Sequence, residues 1–403
     1  MPRLLQINVT ANSGATGKIT EAIGMEAIRN GWESYIAFGR GTPISQSSLL
    51  SIGNKSDVYS HALSTRLFDN HGLASKESTR RFIERIRNIS PDIIHLHNIH
   101  GYYLNYQVLF RYLKEWNGPV VWTMHDCWAF TGHCAYFDNE GPSADNECMK
   151  WTCGCFGCPK RGAYPRSMFT DRSRKNFLDK RSAFTSLDEI HIITPSQWLA
   201  STIGKSFMSE YPRHVIHNGI DLNIFKPHKS SKPQKKIVLA TAWVWTELKG
   251  LGDLSRLSEL LPPDYQLCII GLTPKQIKKL PKGIQGISRT ENQQILARLY
   301  SDASVFVNPT YGDNFPTTNL EAIACGTPVV TYRTGGSPET IDPDTGRIVD
   351  RGDISGMRDA ILDLASLSQE ILSRNCRERA VRFFDQHERF AEYIDLYNML
   401  LNR

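Results

Sequence analysis

Two acidic side chains, Asp313 and Glu321, flank a Phe-Pro pair in the segment "YGDNFPTTNLEAIACGTPVV". The apolar run before them predicts a strand, and the residues from about Thr317 to Cys325 predict a helix. At the carboxyl end of a parallel strand, a following helix presents unpaired amides and the positive end of its dipole. A carboxylate there can accept hydrogen bonds from two neighbouring hydroxyl groups. These residue types therefore indicate a site for a sugar or a phosphorylated ligand, unless the acids are simply solvated.

Histidines follow two other predicted strands. His95, His97 and His100 lie in "DIIHLHNIHG", and His125 ends the run "VVWTMH". A neutral imidazole both donates and accepts hydrogen bonds, which suits sugar hydroxyls. Histidines at strand ends also commonly satisfy local backbone groups. We treat His95, His97 and His100 as candidates for the acceptor side of a ligand site.

Six of the nine cysteines lie within residues 127–158. Four thiolates bind structural zinc tetrahedrally, and such a site would order a long irregular loop. The set that we select is Cys134, Cys148, Cys155 and Cys158, with Cys153, Cys127 and His133 as substitutes. Reduced thiols packed as small apolar groups, or disulfides formed only on isolation, are the alternatives. An all-thiolate site would leave no open position for catalysis, so we expect no catalytic metal.

A basic stretch, "KRGAYPRSMFTDRSRKNFLDKRSAF", follows the cysteines. It could meet anionic lipid headgroups or a pyrophosphate-linked acceptor. A solvated basic helix is the alternative. Neither the cysteine spacing nor the basic stretch fits a known nucleic-acid reader, so we expect no nucleic-acid partner.

Uninterrupted apolar runs alternate with helical patterns along the whole chain of 403 residues. This alternation is typical of α/β domains whose parallel sheets are covered on both faces. Two sets of runs predict two doubly wound, Rossmann-like domains: 1–226, with a Cys-rich insertion at 127–170, and 227–403. The Pro/Ser/Lys stretch at 226–236 predicts the hinge. Aromatic residues at helical spacing predict that 380–403 form a terminal helix docking back on the first domain.

The N-terminal stretch "MPRLLQINVT" has a strand pattern, and no run of about 20 apolar residues suggests a membrane span. We therefore expect a cytoplasmic protein, possibly peripheral at the inner face of the membrane. The net charge of +6 is modest and compatible with phosphorylated substrates or with an anionic surface.

The Asp313 segment resembles the signature of family-four glycosyltransferases, retaining enzymes of the two-Rossmann-domain GT-B class. The family pattern has an acid, Gly-Phe-Pro, a second acid and then "A-x-G-x-P-V". Here Glu321 and the run from Ala322 to Val329 fit, while Asp313 stands where Glu is usual and Asn314 where Gly is usual. The cysteine and histidine segments resemble a subgroup from bacterial colanic-acid and capsular polysaccharide pathways.

The resemblance implies the roles of individual residues. Catalysis would depend on His125 at the donor sugar, Lys249 in "WTELKGL" at the diphosphate, and Asp313. An Arg that the family uses near this Lys is replaced by Val244. The residues implied to bind the donor are Gly14, Gly17, Asn218, Gly219, Phe315, Pro316, Thr317, Glu321 and Glu339.

The stretch "NSGATGKITEAIG", which contains Gly14 and Gly17, resembles the family's glycine loop, where the backbone approaches the diphosphate. A P-loop is the rival interpretation. It would need Gly at Asn12 and Ser or Thr at Ile19, so the motif does not match.

The resemblance implies transfer of a sugar from a nucleoside-diphosphate sugar to a glycan or lipid-linked glycan in surface polysaccharide biosynthesis, with retention and without a catalytic metal. Two alternatives share the architecture. One is a catalytically silent nucleotide-sugar-binding protein, suggested by Asp313, Asn314 and Val244, and the other is a sugar-nucleotide epimerase. Turnover, and its dependence on an acceptor, would separate the three.

Overall fold

A computed structural model of the protein describes residues 1–137, 148–228 and 235–402. Part of the predicted Cys-rich insertion (138–147) and most of the predicted hinge (229–234) lie outside the described residues. The chain forms two units. In the described residues, unit 1 comprises 1–216 together with 390–402, and unit 2 comprises 217–389.

Unit 1 is built on a parallel sheet of seven strands in the order β3-β2-β1-β4-β5-β6-β7. The strands are β1 (Arg3–Asn8), β2 (Glu33–Phe38), β3 (Ser48–Ser51), β4 (Ile93–Leu96), β5 (Val120–Thr123), β6 (His191–Thr194) and β7 (Arg213–Val215). The helices between them are α1 (Gly14–Arg29), α2 (Lys55–Phe68), α3 (Lys76–Ile89), α4 (Tyr106–Trp116), α5 (Lys150–Cys153), α6 (Ser173–Phe184) and α7 (Gln197–Ile203). The central strands β4, β5 and β6 are buried along their whole length, as expected for a parallel sheet covered on both faces.

Unit 2 contains a second parallel sheet, with six strands in the order β10-β9-β8-β11-β12-β13. The strands are β8 (Lys236–Thr241), β9 (Tyr265–Ile270), β10 (Gln285–Ile287), β11 (Val305–Asn308), β12 (Val329–Tyr332) and β13 (Gly346–Val349). The helices that follow β7 are α8 (Leu251–Leu260), α9 (Pro274–Ile277), α10 (Gln293–Asp302), α11 (Thr317–Ala324), α12 (Ile354–Ser366), α13 (Gln369–Phe384) and α14 (Gln386–Leu401). The predicted pair of doubly wound α/β domains is confirmed.

The final helix, α14, packs into the core of unit 1 as predicted. Its buried residues Phe390, Tyr393 and Tyr397 join a cluster that includes residues of α1 and β1. The single helix predicted for 380–403 is instead two helices that break at Asp385. Asp385 has an extended backbone and pairs with Ile220 as an isolated bridge. The helical spacing of the aromatic residues continues across the break, which explains why it was not predicted.

The division between the two units falls after Ile216, whereas the sequence places the boundary near residue 227. The intervening segment is tied to unit 2 by its backbone. The Ile220 N–H donates to the Phe384 carbonyl at 2.8 Å, and the Gln386 N–H donates to the Ile220 carbonyl at 3.1 Å. These bonds join residues distant in sequence, which local composition does not reveal.

The four cysteines selected from the sequence, Cys134, Cys148, Cys155 and Cys158, line one small cavity. Three of the sulfurs nevertheless serve as hydrogen-bonding groups: Cys155 Sγ accepts the Gly132 N–H at 3.1 Å, and a hydrogen bond from Cys134 lowers the pKa of Cys158 to about 6. Within the described residues no group of three or more His, Cys, Asp or Glu side chains is arranged to hold a metal ion. The expected structural zinc site is therefore not supported.

No helix among residues 1–137, 148–228 and 235–402 is both long enough and apolar enough to cross a membrane.

Candidate active site

In unit 2, a cation and a carboxylate meet beyond the carboxyl ends of the neighbouring strands β8 and β11. Lys249 ends a 3-10 helix (Glu247–Lys249), and Asp313 lies in the loop between β11 and α11. Lys249 Nζ lies 2.6 Å from Asp313 Oδ2, with 31% of the lysine and 19% of the aspartate side chain exposed. Asp313 Oδ1 also accepts the Phe315 N–H at 3.3 Å. This partly exposed pair offers an ammonium group to an anionic ligand.

The loop before α11 is fixed by residues from the "HNGID" segment. Asn218 Nδ2 donates to the Phe315 carbonyl at 3.2 Å. The His217 ring stacks on the Phe315 ring with 4.8 Å between centroids and an interplanar angle of 7°. Pro316 is the N-cap of α11 and contributes no side-chain hydrogen bond, so the first amides of the helix, from Thr317 on, are left uncapped by side chains. Amides so presented suit an anion.

Glu321 is held by a tyrosine hydroxyl that the sequence did not indicate. Its Oε2 accepts the Tyr300 hydroxyl at 2.8 Å, and that hydroxyl also bonds Thr241 Oγ1 at 2.9 Å. Tyr300 is fully buried in α10. Burial and the negative charge of Glu321 raise the pKa of Tyr300 well above its usual range, so the phenol stays a donor. In the sequence, Tyr300 fits the apolar pattern of a helix like an ordinary core residue, and nothing there marks it as a site residue.

Glu339 lies in the loop that follows β12. Within this loop, Ser337–Thr340 form a 3-10 helix that includes Glu339. The preceding Gly336 donates its N–H to the Asp313 carbonyl at 3.3 Å. Arg379 anchors the Glu339 carbonyl at 3.2 Å. The Gly-Gly-Ser-Pro-Glu segment therefore lies against the Asp313 loop. Gly219 approaches the α13–α14 junction so closely that a Cβ would lie 2.4 Å from the Gln386 Cα.

Val244, which stands where the family uses Arg, lies in an exposed loop after β8. Its neighbour Trp243 is also exposed, and the Arg289 guanidinium carbon lies 4.1 Å from the centre of its ring. This geometry is typical of a cation–π contact. Arg289 thus supplies positive charge to the loop in which the sequence lacks the family's arginine.

Gly250 fixes the backbone directly after Lys249. Its φ is +74°, and a Cβ at this position would lie 2.1 Å from the Pro309 carbonyl oxygen. We expect Gly250→Ala to lower the free energy of unfolding by at least about 2 kcal/mol, since left-handed strain alone costs about 1–2 kcal/mol and the backbone must also shift. Urea unfolding measures the change. The matched control is Gly283→Ala, with φ +97° and no atom within 4 Å of its added Cβ. Equal losses in the two variants would contradict the close approach to Pro309.

In unit 1, α1 begins at Gly14, beside the loop that follows β1. A Cβ on Gly17 would lie 2.8 Å from Thr10 Oγ1, and the Asn12 N–H donates to the Gly17 carbonyl at 3.0 Å. The absence of a side chain at Gly17 therefore lets the loop lie against the helix. Contact of Gly14 and Gly17 with a diphosphate stays a prediction.

His125, two residues beyond β5, belongs to a chain of neutral polar groups. Its Nε2 lies 3.1 Å from His97 Nδ1, and His97 Nε2 lies 3.1 Å from Gln6 Oε1. Burial lowers the pKa of His125 to about 4 and the pKa of His97 well below its usual value. Both rings are therefore neutral at physiological pH. His97 is almost fully buried. Its contact with His125 therefore favours a role in orienting the His125 ring over direct contact with a ligand.

His95 does not have the place that the sequence suggested. It is fully buried in β4, where its ring nitrogens bond Thr123 Oγ1 at 2.7 Å and the Tyr397 hydroxyl at 2.6 Å. The predicted acceptor-side role of His95 is corrected: this imidazole joins the sheet to α14. His100 is also buried, but 9% of its side chain is exposed and its Nε2 lies 2.9 Å from Asp126 Oδ2.

Two family models match most of the chain. The model described as "Glycosyltransferase Family 4" matches residues 20–224, and the model described as "Glycosyl transferases group 1" matches residues 235–366. Among curated proteins, the putative colanic acid biosynthesis glycosyl transferase WcaC of Escherichia coli K12 is 24% identical over 426 residues, covering 98% of this chain and all of WcaC. The MMP α-(1→4)-mannosyltransferase of Mycolicibacterium hassiacum is 30% identical over 228 residues, covering 53% of this chain and 54% of that protein.

Solved structures match the chain along its length. Sucrose-phosphate synthase from Thermosynechococcus elongatus has a TM-score of 0.73 at 16% identity and covers 100% of both chains. Anabaena HepE in complex with UDP has a TM-score of 0.66 at 14% identity, covering 99% of this chain and all of HepE. WaaG, a glycosyltransferase involved in lipopolysaccharide biosynthesis, has a TM-score of 0.64 at 13% identity, covering 98% of this chain and 99% of WaaG. At these identities the likeness concerns the fold, and it confirms the predicted GT-B class.

Proposed function

Because the chain belongs to glycosyltransferase family 4 and is therefore a glycosyltransferase, we propose that it moves a sugar from a nucleoside-diphosphate sugar to a hydroxyl group of a glycan or lipid-linked glycan. We place this transfer in the biosynthesis of a surface polysaccharide, with retention of the anomeric configuration. The use of a nucleoside-diphosphate sugar is argued from the site of unit 2. The place in surface polysaccharide biosynthesis is argued from the relatives.

The donor end of the proposal is carried by one observation, the contact of 2.6 Å between Lys249 Nζ and Asp313 Oδ2. The ammonium group is paired with Asp313, which lies in the loop that leads into the first amides of α11, so we expect a diphosphate here to meet two kinds of donor. Glu321, held by Tyr300, then accepts the two ribose hydroxyls. The solved structure of HepE contains UDP, which makes a UDP-sugar the first donor to examine.

The proposed chemistry follows from where charge develops. Breaking the bond between C1 and the phosphate oxygen builds positive charge on the sugar and negative charge on the departing diphosphate. Fixed cations and amides stabilise the departing group. The acceptor oxygen forms its bond to C1 on the face that the diphosphate leaves, and a diphosphate oxygen takes the acceptor proton. His125, neutral because burial lowers its pKa, can donate to a donor-sugar hydroxyl.

The acceptor end of the proposal draws on WcaC, whose name places it in colanic acid biosynthesis. Unit 1 also carries a surface that suits an anionic membrane. Phe68, Met168 and Phe169 expose more than half of their area. The Met168 N–H bonds the Arg66 carbonyl at 2.8 Å, which brings the end of α2 against the basic stretch. Exposed apolar groups beside Arg66 and Arg166 favour peripheral contact with anionic lipid at the cytoplasmic face.

Transfer and its stereochemistry can be tested together. Purified protein is incubated with UDP-, GDP-, ADP- or dTDP-sugars labelled with ¹³C at C1, and with an extract of lipid-linked oligosaccharides from a bacterium that makes this protein. We expect label in the lipid fraction with one nucleotide class, and a one-bond C1–H1 coupling that shows the anomeric configuration of the donor. An inverted product would overturn retention. Label found in free sugar, the product of hydrolysis, but not in lipid or glycan would overturn the proposed acceptor.

A further inference from the structure

We propose that His100 and Asp126 form the subsite that binds the acceptor hydroxyl, and that the Tyr164 hydroxyl occupies this subsite until the acceptor arrives. The inference rests on the proposed function and adds to it the residues that receive the sugar acceptor. It is drawn entirely from contacts within unit 1.

The first step is the orientation of the His100 ring. Its Nε2 lies 2.9 Å from Asp126 Oδ2, while Asp126 Oδ1 accepts the Trp128 N–H at 2.9 Å. The carboxylate is thus fixed at both oxygens. An ionised carboxylate only accepts hydrogen bonds, so His100 Nε2 carries a proton, and in the neutral ring His100 Nδ1 is an acceptor. Asp126 has its pKa lowered, because the His100 contact and the Trp128 amide outweigh the larger single effect of burial.

The second step is the group that meets this acceptor nitrogen. The Tyr164 hydroxyl lies 2.9 Å from His100 Nδ1 and 3.4 Å from His71 Nε2. Tyr164 as a whole is 44% exposed, so its ring is reachable from solvent while its hydroxyl is directed inward. Burial of the phenol raises the pKa of Tyr164 well above its usual range, and the hydroxyl therefore donates. The Tyr164 hydroxyl thus reaches an oriented imidazole from the protein surface. A sugar hydroxyl entering from solvent would make the same hydrogen bond.

The third step is the chemistry of the surroundings. His71 is almost fully buried, and its Nδ1 has no hydrogen-bond partner among the described residues. The rings of Trp128 and Tyr102 lie 5.4 and 5.0 Å from the His71 ring. Tyr102 has a φ of +71°, a left-handed conformation that is uncommon for a bulky residue and is often found at functional sites. Aromatic rings with a few convergent hydrogen-bonding nitrogens are typical of a site for a polar ring ligand such as a sugar.

Binding of the acceptor exchanges one hydroxyl in the subsite for another. The acceptor hydroxyl takes the place of the Tyr164 hydroxyl and donates to His100 Nδ1, which directs the lone pairs of its oxygen away from the imidazole. During transfer that oxygen bonds to C1 as the bond between C1 and phosphate breaks, and the O–H turns from His100 Nδ1 to the departing diphosphate, whose oxygen takes the proton. His100 binds and orients the acceptor, and Asp126 is a positioning residue that fixes the tautomer of His100.

The test compares acceptor kinetics with donor properties in the full-length protein. The acceptor is the lipid-linked oligosaccharide extract at graded dilution, and donor hydrolysis by water is followed separately. Tyr164→Phe removes the competing hydroxyl, so we expect the apparent KM for the acceptor to fall about two- to tenfold, the range of one net hydrogen bond. Asp126→Asn keeps the Trp128 contact but places an amide N–H at His100 Nε2, which turns His100 Nδ1 into a donor. We expect kcat/KM for the acceptor to fall at least about tenfold.

The matched control is Tyr35→Phe in β2, which removes a phenol hydroxyl that donates to Glu33 Oε2 at 2.9 Å and should leave acceptor KM unchanged. Nucleotide affinity and donor hydrolysis should stay within twofold of wild type in all three variants. The inference is overturned if Tyr164→Phe behaves like Tyr35→Phe or raises the acceptor KM. It is also overturned if Asp126→Asn alters donor KM and leaves acceptor KM alone. A wild-type protein that binds no nucleotide would instead mark failure of the proposed function.

Discussion

Replacing Lys249 by alanine is expected to lower kcat for sugar transfer by about 100- to 1,000-fold, the loss typical of one preorganised donor to a developing negative charge. Lys249 Nζ is fixed at 2.6 Å from Asp313 Oδ2, so the ammonium group needs little reorganisation when the diphosphate departs. The charge on the diphosphate is larger in the transition state than in the bound donor. The loss should therefore appear mainly in kcat and less in the KM for the donor.

Two companion variants make this result specific. Lys236→Ala removes another lysine of unit 2, whose Nζ lies 3.8 Å from Asp264 in an exposed pair. We expect its kcat to match wild type, because exposed pairs of this kind contribute little. Lys249→Arg keeps the charge but replaces a compact ammonium by a planar guanidinium, and an intermediate kcat is expected. If Lys249→Ala and Lys236→Ala have the same kcat, Lys249 does not act on the leaving group.

Glu321→Gln is expected to weaken nucleotide binding by about 10- to 100-fold, the range for losing hydrogen bonds to a charged acceptor. The glutamine carbonyl can still accept the Tyr300 hydroxyl, so the fold around α11 should be kept. What changes is the capacity to accept from two hydroxyl groups at once, since one carboxylate oxygen becomes an amide donor. Calorimetric titration with the nucleoside diphosphate measures the change in Kd.

Tyr300→Phe is the natural comparison for Glu321→Gln. It removes the hydroxyl that holds Glu321 but leaves the carboxylate in place, so only a few-fold rise in Kd is expected from lost positioning. The opposite order, with Tyr300→Phe more damaging than Glu321→Gln, would mean that Glu321 stabilises α10 and α11 without contacting the ligand. Unaltered affinity in Glu321→Gln would remove this residue from the donor site.

The sheets were predictable because the signal is local. Each central strand is a short uninterrupted apolar run, and such runs form parallel sheets covered on both faces. Helix α11 was equally predictable from the sequence, since strand, loop and helix follow one another between Val305 and Ala324. Asp313 and Lys249 are distant in sequence, and their assignment to the same donor site depended on the resemblance to a family.

The errors concern contacts between residues distant in sequence. His95 was taken for a ligand-facing group, but its partner is Tyr397, 302 positions later. The break at Asp385 depends on pairing with Ile220, and Glu321 depends on Tyr300. The four cysteines do line one small cavity, but among the described residues no group of three or more potential ligands is arranged to hold a metal ion, and spacing alone does not specify that arrangement.

The most direct test of the account is a calorimetric titration of UDP, GDP, ADP and dTDP into wild-type protein and into Lys249→Ala, Glu321→Gln and Lys236→Ala. We expect one nucleotide to bind wild type and Lys236→Ala alike, and to bind Glu321→Gln at least about tenfold more weakly. Lys249→Ala should also bind it more weakly, because the diphosphate loses a charge partner. Absence of binding by all four nucleotides at millimolar concentration, or equal binding by all four proteins, would contradict a donor site built from Lys249, Asp313 and Glu321.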